Sequence, residues 1–244
     1  MQKRVLKASV VEKREGVVDV KPYVFSGVYT DGKGFYTLSL APGYSVYGEK
    51  IVKKKGKEYR LWNPRRSKLS AFLHCGGKHF PFKKGSRVLY LGAATGTTVS
   101  HVSDIVREGV VFAVEFSPLA FQRLLELASV RPNVVPLLAD ARLPRKYRYI
   151  VGEVDVLYQD VSQRDQTDIF IKNATQFLVE GGKGMLMLKT RSIDVSEPPA
   201  RILGRSMDEI KKGGFEILET VNLSPYQRDH YAIVVRKTGG KGDD

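Results

Sequence analysis

Four acids and bases stand where apolar runs stop. Val110–Val114 ends at Glu115, Val134–Leu138 runs into Asp140, Val154–Tyr158 leads to Asp160, and Met185–Leu188 ends at Lys189. A short apolar run closed by a polar residue is the pattern of a buried strand reaching a sheet edge. A further polar cluster, Arg228-Asp229-His230, opens the last such run. In open parallel sheets ligands bind beyond the carboxyl ends of the strands, so these side chains would share one rim. Taken singly, an acid after a strand also serves as a helix cap.

The stretch RVLYLGAATGTT, Arg87 to Thr98, gives the rim a purpose. Its apolar run stops at Gly92, Gly96 follows, and Thr97 and Thr98 open an amphipathic segment. That order reads as strand, tight glycine turn and helix N-terminus, where backbone N–H groups and a close approach suit a nucleoside. It is not the dinucleotide motif, because Ala94 occupies the position of the second glycine. Glu115 lies about 20 residues past Gly92, where nucleoside-binding folds place a carboxylate for the ribose hydroxyls. No P-loop is present, and an acid-rich rim suits a cationic, phosphate-free ligand such as S-adenosylmethionine better than NAD. Lys189 at the end of a buried run needs a partner. Asp160 is the expected one, and a snorkelling lysine is the plainer reading. Beside a methyl donor, an acid and a lysine suit methylation of a hydroxyl. The lysine either takes the proton or, charged, stabilises the forming alkoxide; desolvation and Asp160 pull its pKa in opposite directions.

The elements that must position these groups follow from the periodicity. Strands are expected near 88–91, 110–114, 134–138, 154–159, 184–189, 215–222 and 230–236, with helices near 97–107, 118–129, 165–178 and 199–212. Alternation of this kind predicts a mostly parallel sheet covered on both faces. The link Ser224–Asp229 is too short for a crossover, so the last strand is antiparallel. This is the layout of class I methyltransferases. Residues 1–60 read instead as a small antiparallel β domain, with strands over Val5–Val11, Val17–Val20, Phe35–Leu40, Tyr44–Tyr47 and Tyr59–Trp62 and turns at Asp31-Gly32, Pro42-Gly43 and Lys55-Gly56. Its aromatics read as core before they read as an RNA-stacking platform. Residues 61–86 form a helix and linker, with Asn63 as N-cap and Pro64 at its first position. Arg65, Arg66 and Lys68 in the first turns oppose the helix dipole and ask for a nearby anion. Residues 87–238 are expected to form the methyltransferase domain and 239–244 a disordered tail.

The 244 residues carry 42% hydrophobic residues and a net charge of +14. Residues 1–86 hold 19 of the 40 Lys and Arg but 6 of the 26 Asp and Glu, so the basic excess lies at the front and suits a polyanion. One cysteine, Cys75, excludes an internal disulfide. Four histidines exclude a Cys/His zinc cluster, and His74, Cys75 and His79 make at most half a site, so no metal is expected. No apolar run is long enough to span a membrane, and no signal-peptide pattern opens the sequence; a soluble, cytoplasmic protein is expected.

LYLGAATGTTVSHVSDIV, FAVEFSP, DAR, DVSQRDQT and PYQRDHY, with WNPRRSKLSA ahead of the sheet, together resemble fibrillarin in its archaeal form over nearly the whole chain. The 244 residues hold no Gly/Arg-rich stretch like the extension of eukaryotic members. The resemblance implies guide-RNA-directed 2′-O-methylation of ribose in rRNA and tRNA within a box C/D ribonucleoprotein, with S-adenosylmethionine as methyl donor. It implies as partners a guide RNA and its target, a Nop-domain scaffold protein and a kink-turn-binding protein related to a ribosomal protein. By motif matching, Gly92, Ala94, Thr97, Thr98, Glu115, Phe116, Asp140, Ala141, Asp160, Val161, Ser162 and Gln163 line the cofactor. Glu115 would hold the ribose, Phe116 pack on adenine and Asp140 meet the adenine amino group. Lys68, Asp160, Lys189 and His230 resemble the catalytic set of ribose methyltransferases, in which glutamate usually stands at the place of His230. The alternative is a non-catalytic RNA-binding or assembly subunit. A base-directed enzyme is disfavoured because Val161-Ser162-Gln163 follows Asp160 in place of the Pro-Pro-aromatic run of amino-group methyltransferases.

Overall fold

A computed structural model describes residues 19–239. Its first sheet is antiparallel throughout. Strands β1 (Lys21–Pro22), β2 (Val28–Thr30), β3 (Phe35–Leu38), β4 (Ile51–Lys54) and β5 (Lys57–Leu61) lie in the order β1-β2-β3-β5-β4. Lys55 and Gly56 join β4 to β5 with φ of 48° and 73°, the two-residue turn whose twist matches the strands. Tyr44–Tyr47 is a loop, contrary to the expected strand. The Glu49 carboxylate takes the Ser45 hydroxyl and the Val46 and Tyr47 N–H groups, and such local bonds displace a ladder. Ile51–Lys54 is a strand that its lysines disguise: Val52 is buried and Lys53 exposed. The expected strands over Val5–Val11 and Val17–Val20 lie outside the described residues, except Asp19 and Val20, which join no strand. The expected tail lies outside them past Gly239.

Helix α1 (Lys68–His74) is capped by Ser67 and not by Asn63. Ser67 Oγ accepts the Ser70 N–H, whereas Asn63 Oδ1 accepts the Arg65 N–H at 2.9 Å and closes a turn ahead of the helix. Arg65 and Arg66 therefore precede the helix, and only Lys68 meets its dipole.

The second sheet contains β6 (Arg87–Leu91), β7 (Val110–Glu115), β8 (Val134–Leu138), β9 (Val154–Gln159), β10 (Leu178–Lys189), β11 (Phe215–Asn222) and β12 (His230–Lys237). Their order is β11-β12-β10-β9-β6-β7-β8. β12 runs antiparallel to both neighbours, and the pairs among β6–β10 are parallel. Helices α2 (Thr97–Ile105), α3 (Pro118–Ser129), α4 (Arg148–Val151), α5 (Gln166–Phe177), α6 (Thr190–Ile193) and α7 (Pro199–Lys212) connect the strands. Side chains alternate between the two faces along each strand. Val88 and Tyr90 join Trp62, Phe72 and Val102 on one face; Leu89 and Leu91 join Phe112, Phe170 and Leu186 on the other. Among the described residues no helix is long and apolar enough to cross a membrane.

A buried ionic joint fastens the small sheet to α2. Arg60, on β5, bonds Asp104 Oδ2 at 2.7 Å and Glu49 Oε1 at 2.6 Å, and Arg131 bonds Asp104 Oδ1 at 2.6 Å; none of the four side chains is more than 1% exposed. Two positive and two negative groups leave the set neutral, which is how buried charges are tolerated. Burial disfavours the Arg60 charge, but Asp104 and Glu49 hold its pKa above the ordinary value. His101 lies beside them, stacked on Trp62. Burial, then Arg60 and Arg131, push its pKa well below 6.5, so it is neutral. Thr37 Oγ1 spends its hydrogen on Asp104, so His101 Nδ1–H donates to Thr37 and Nε2 accepts from Tyr47.

Candidate active site

The turn after β6 is built on backbone that side chains would forbid. Gly92 has φ of 80°, and a Cβ there would lie 2.4 Å from the Asp160 carbonyl oxygen. Gly96 has φ of 89°, and its Cβ would lie 2.5 Å from Leu127. Ala94 takes φ of 48° without being glycine, a strain on the order of 1 kcal/mol. Its N–H donates to Glu115 Oε2 at 2.7 Å, and the Ser117 N–H donates to Glu115 Oε1 at 2.7 Å. Both bonds aim the carboxylate and leave each oxygen a lone pair for a further donor.

Gly92, Ala94, Glu115, Phe116, Asp140, Ala141 and the run Asp160–Gln163 line one cleft of about 310 Å³ at the C-terminal ends of β6, β7, β8 and β9. Phe116 stands 69% exposed at its mouth, free to cover a flat ring. Asp140 Oδ1 accepts the Arg142 N–H at 2.9 Å. Thr97 and Thr98 are not in this cleft. Thr98 Oγ1 donates to Ser67 Oγ at 3.0 Å, and Thr97 faces a recess around Tyr44 and Arg123. A larger recess of about 490 Å³ around Asp155 and Gly181 lies at the opposite sheet edge and holds none of the expected residues.

Arg142 escaped the sequence reading. Its guanidinium makes two bonds to Asp165, at 2.8 and 3.0 Å, and one to Gln163 Oε1 at 2.9 Å, so it ties the loop after β8 to the loop after β9. The cue in the sequence is an Arg two residues after Asp140 facing an acid in RDQ.

The second part of the site adjoins Asp160. Lys68 Nζ reaches both of its oxygens, at 2.7 and 2.9 Å, with side chains 19% and 16% exposed. Asp160 thus pairs with Lys68 and not with Lys189, correcting the expected partner. The Asp160 N–H bonds Leu91 O at 2.9 Å, the last rung of the β6–β9 ladder, so the residue is held at the end of β9, where Lys68 reaches it from α1. Lys189 stands opposite His230 in the β10–β12 ladder. His230 is buried, and its Nδ1 lies 2.7 Å from the Arg228 carbonyl, an acceptor only, so Nδ1 carries the hydrogen and Nε2 is left as acceptor. Burial and then Lys68 lower its pKa below 6.5, so the ring is neutral. Lys68, Asp160, Lys189 and His230 thus arrive from α1, β9, β10 and β12 at one rim: two cations, one anion and a neutral base.

The Fibrillarin family model matches residues 19–239. The fibrillarin-like rRNA/tRNA 2′-O-methyltransferase of Pyrococcus horikoshii is 48% identical over 228 residues, 91% of this chain and 100% of the relative. Among solved structures, Aeropyrum pernix fibrillarin with natively bound S-adenosyl-L-methionine superposes with a TM-score of 0.83 at 44% identity, covering 90% of this chain and 98% of that one. A chain of the fibrillarin/Nop5p complex superposes with a TM-score of 0.81 at 43% identity, covering 87% and 98%. With a match that spans every described residue, the chain belongs to the fibrillarin family.

Proposed function

We propose that this chain transfers a methyl group from S-adenosylmethionine to a ribose 2′-hydroxyl of rRNA and tRNA, as the catalytic subunit of a guide-RNA particle. The observation that carries the reading is the Lys68–Asp160 pair, with Lys189 and His230 beside it, at the edge of a cleft whose aimed carboxylate is Glu115. The donor set fits the cofactor: Glu115 suits the two ribose hydroxyls, Phe116 the adenine face, Asp140 the adenine amino group, and the acidic rim a sulfonium. Bound there, S-adenosylmethionine supplies an electrophilic methyl group. Thr97 and Thr98 serve through the N-terminal turn of α2, and Thr98 also through Ser67, the cap of the helix that carries Lys68.

Lys68 and Asp160 hold each other in place, and Lys189 brings positive charge to the oxygen that becomes an alkoxide. The neutral His230 offers Nε2 as a proton acceptor. Holding the hydroxyl in line with the methyl carbon supplies much of the acceleration. Arg65, Arg66, Arg164, Arg191 and Arg228 stand exposed on the described surface, and the sequence places all five within a few residues of the rim groups, as phosphate contacts. The partners in this reading are a guide RNA paired to its target, a Nop-domain scaffold and a kink-turn-binding protein. The fibrillarin/Nop5p complex supports the scaffold. Asp160→Ala tests the assignment in the assembled particle: methylation falls by about 10²-fold or more if the residue acts as stated, and unchanged methylation sinks the reading.

A further inference from the structure

Gln166, the first residue of α5, is completely buried and lies outside the residues assigned above. The Thr190 N–H bonds the Asp229 carbonyl at 3.1 Å, beside β12. Strand alternation therefore turns the N–H and C=O of Lys189 the other way, toward β9. There the ladder has stopped: β9 pairs with β10 only as far as Gln159 opposite Leu186. The Gln166 side chain replaces the missing strand residue. Its Oε1 accepts the Lys189 N–H at 2.8 Å and its Nε2 donates to the Lys189 carbonyl at 3.0 Å. The second Nε2 hydrogen donates to the Gln163 carbonyl at 2.9 Å. The amide orientation is fixed by its partners, since the reverse would set an oxygen against two carbonyls. The Gln166 backbone is pinned in turn, because its carbonyl accepts from Gln159 Nε2 at 2.6 Å.

One primary amide thus joins the last residue of the cleft-lining run Asp160–Gln163 to both backbone groups of the rim lysine. We propose that Gln166 is a positioning residue that couples occupation of the cleft to the placement of Lys189. This rests on the reading of cleft and lysine given above. When a ligand orders the 160–163 loop, Gln166 transmits that order to Lys189, whose backbone groups have no other partner on the β9 side among the described residues.

Two variants at Gln166 and one control test it. Gln166→Leu removes all three side-chain bonds. Gln166→Asn keeps an amide that is one methylene too short to span Lys189 and Gln163 together, and it guards against a leucine variant that fails to fold. Thr167→Val is the control: its hydroxyl bonds Ser206 at 3.0 Å in the interior, apart from both partners of Gln166. Tm and S-adenosylmethionine Kd are measured on the full chain, and kcat at saturating cofactor in the reconstituted particle. Both Gln166 variants are expected to lower kcat by about 10²-fold, the effect of a misplaced reacting group, and to weaken Kd by about fivefold, the effect of a lost hydrogen bond. Thr167→Val lowers Tm and changes neither. The coupling is overturned if a folded Gln166 variant keeps wild-type kcat and Kd, or if its losses match those of Thr167→Val at equal Tm. Equal labelling of a 2′-deoxy target by the wild-type chain would overturn the assigned reaction and not the coupling, which kcat and Kd still report on whichever acceptor is labelled.

Discussion

Asp104→Asn removes one negative charge from the joint between the small sheet and α2. Asp104 accepts from Arg60 and Thr37 on one oxygen and from Arg131 and the Leu40 N–H on the other, all between 2.6 and 2.8 Å. An amide in its place turns two hydrogens toward groups that themselves donate, and the neutral set acquires a net positive charge. Burial leaves no solvent to screen it. Breaking a buried pair in this way costs roughly 3–5 kcal/mol, a large share of the roughly 5–15 kcal/mol that holds a folded domain. For a chain of this length that lowers Tm by roughly 6–20 °C. The exposed pair Arg236–Glu216 gives the contrast: Arg236→Ala is expected to cost less than about 1 kcal/mol. Denaturant titration at neutral pH measures both, with the m-value confirming that the unfolding reaction is unchanged. A loss below about 1 kcal/mol for Asp104→Asn would refute the claim that these charges depend on one another.

The active site and the buried histidines give three further expectations. Lys68→Met and Asp160→Asn should each slow methyl transfer by about 10–100-fold. The double variant should be little worse than either, because the two act as a pair, and multiplied effects would refute the pairing. Glu115→Gln should weaken S-adenosylmethionine binding by about 10–100-fold in calorimetry, the loss of a charge-assisted bond; an unchanged Kd would remove Glu115 from the cofactor site. His101 and His230 both have folded pKa values below 6.5, from burial first and then neighbouring cations. Unfolded histidine takes up a proton near pH 6.5 that the folded state refuses, so stability present above that pH is lost as pH falls through it, by up to about 1.4 kcal/mol per pH unit per site. His101→Gln should flatten this slope in titrations just below pH 6.5.

The β6 turn and its cleft were legible because local chemistry alone dictates them: an apolar run, then two glycines that no other residue can replace. The same holds for β12, whose direction follows from a short connection. The small sheet was harder. Its strands have two to five residues, too few for alternation to outweigh local bonds, and Glu49 could unmake a strand at Tyr44–Tyr47. β10 starts at Leu178, before the expected residue 184, because its register shifts between Leu178 and Lys183 around Gly181-Gly182. Residue types foretold that Lys189 needs a partner and pointed to Asp160, which Lys68 takes instead; a pairing between α1 and the end of β9, 92 residues apart, leaves no mark on the pattern of either element. Arg142 and Gln166 bond residues about twenty positions away, and no periodicity marks a bond that exists only once both loops are folded.

Methyl transfer to ribose is tested most directly by label from radioactive S-adenosylmethionine in a particle reconstituted with guide RNA. The paired target carries either a 2′-hydroxyl or a 2′-deoxy group at the selected nucleotide. Label on the hydroxyl target, none on the deoxy target, and loss of label in Lys189→Ala are the expected results. Label that persists on the deoxy target would contradict the account, because the acceptor would then lie on the base.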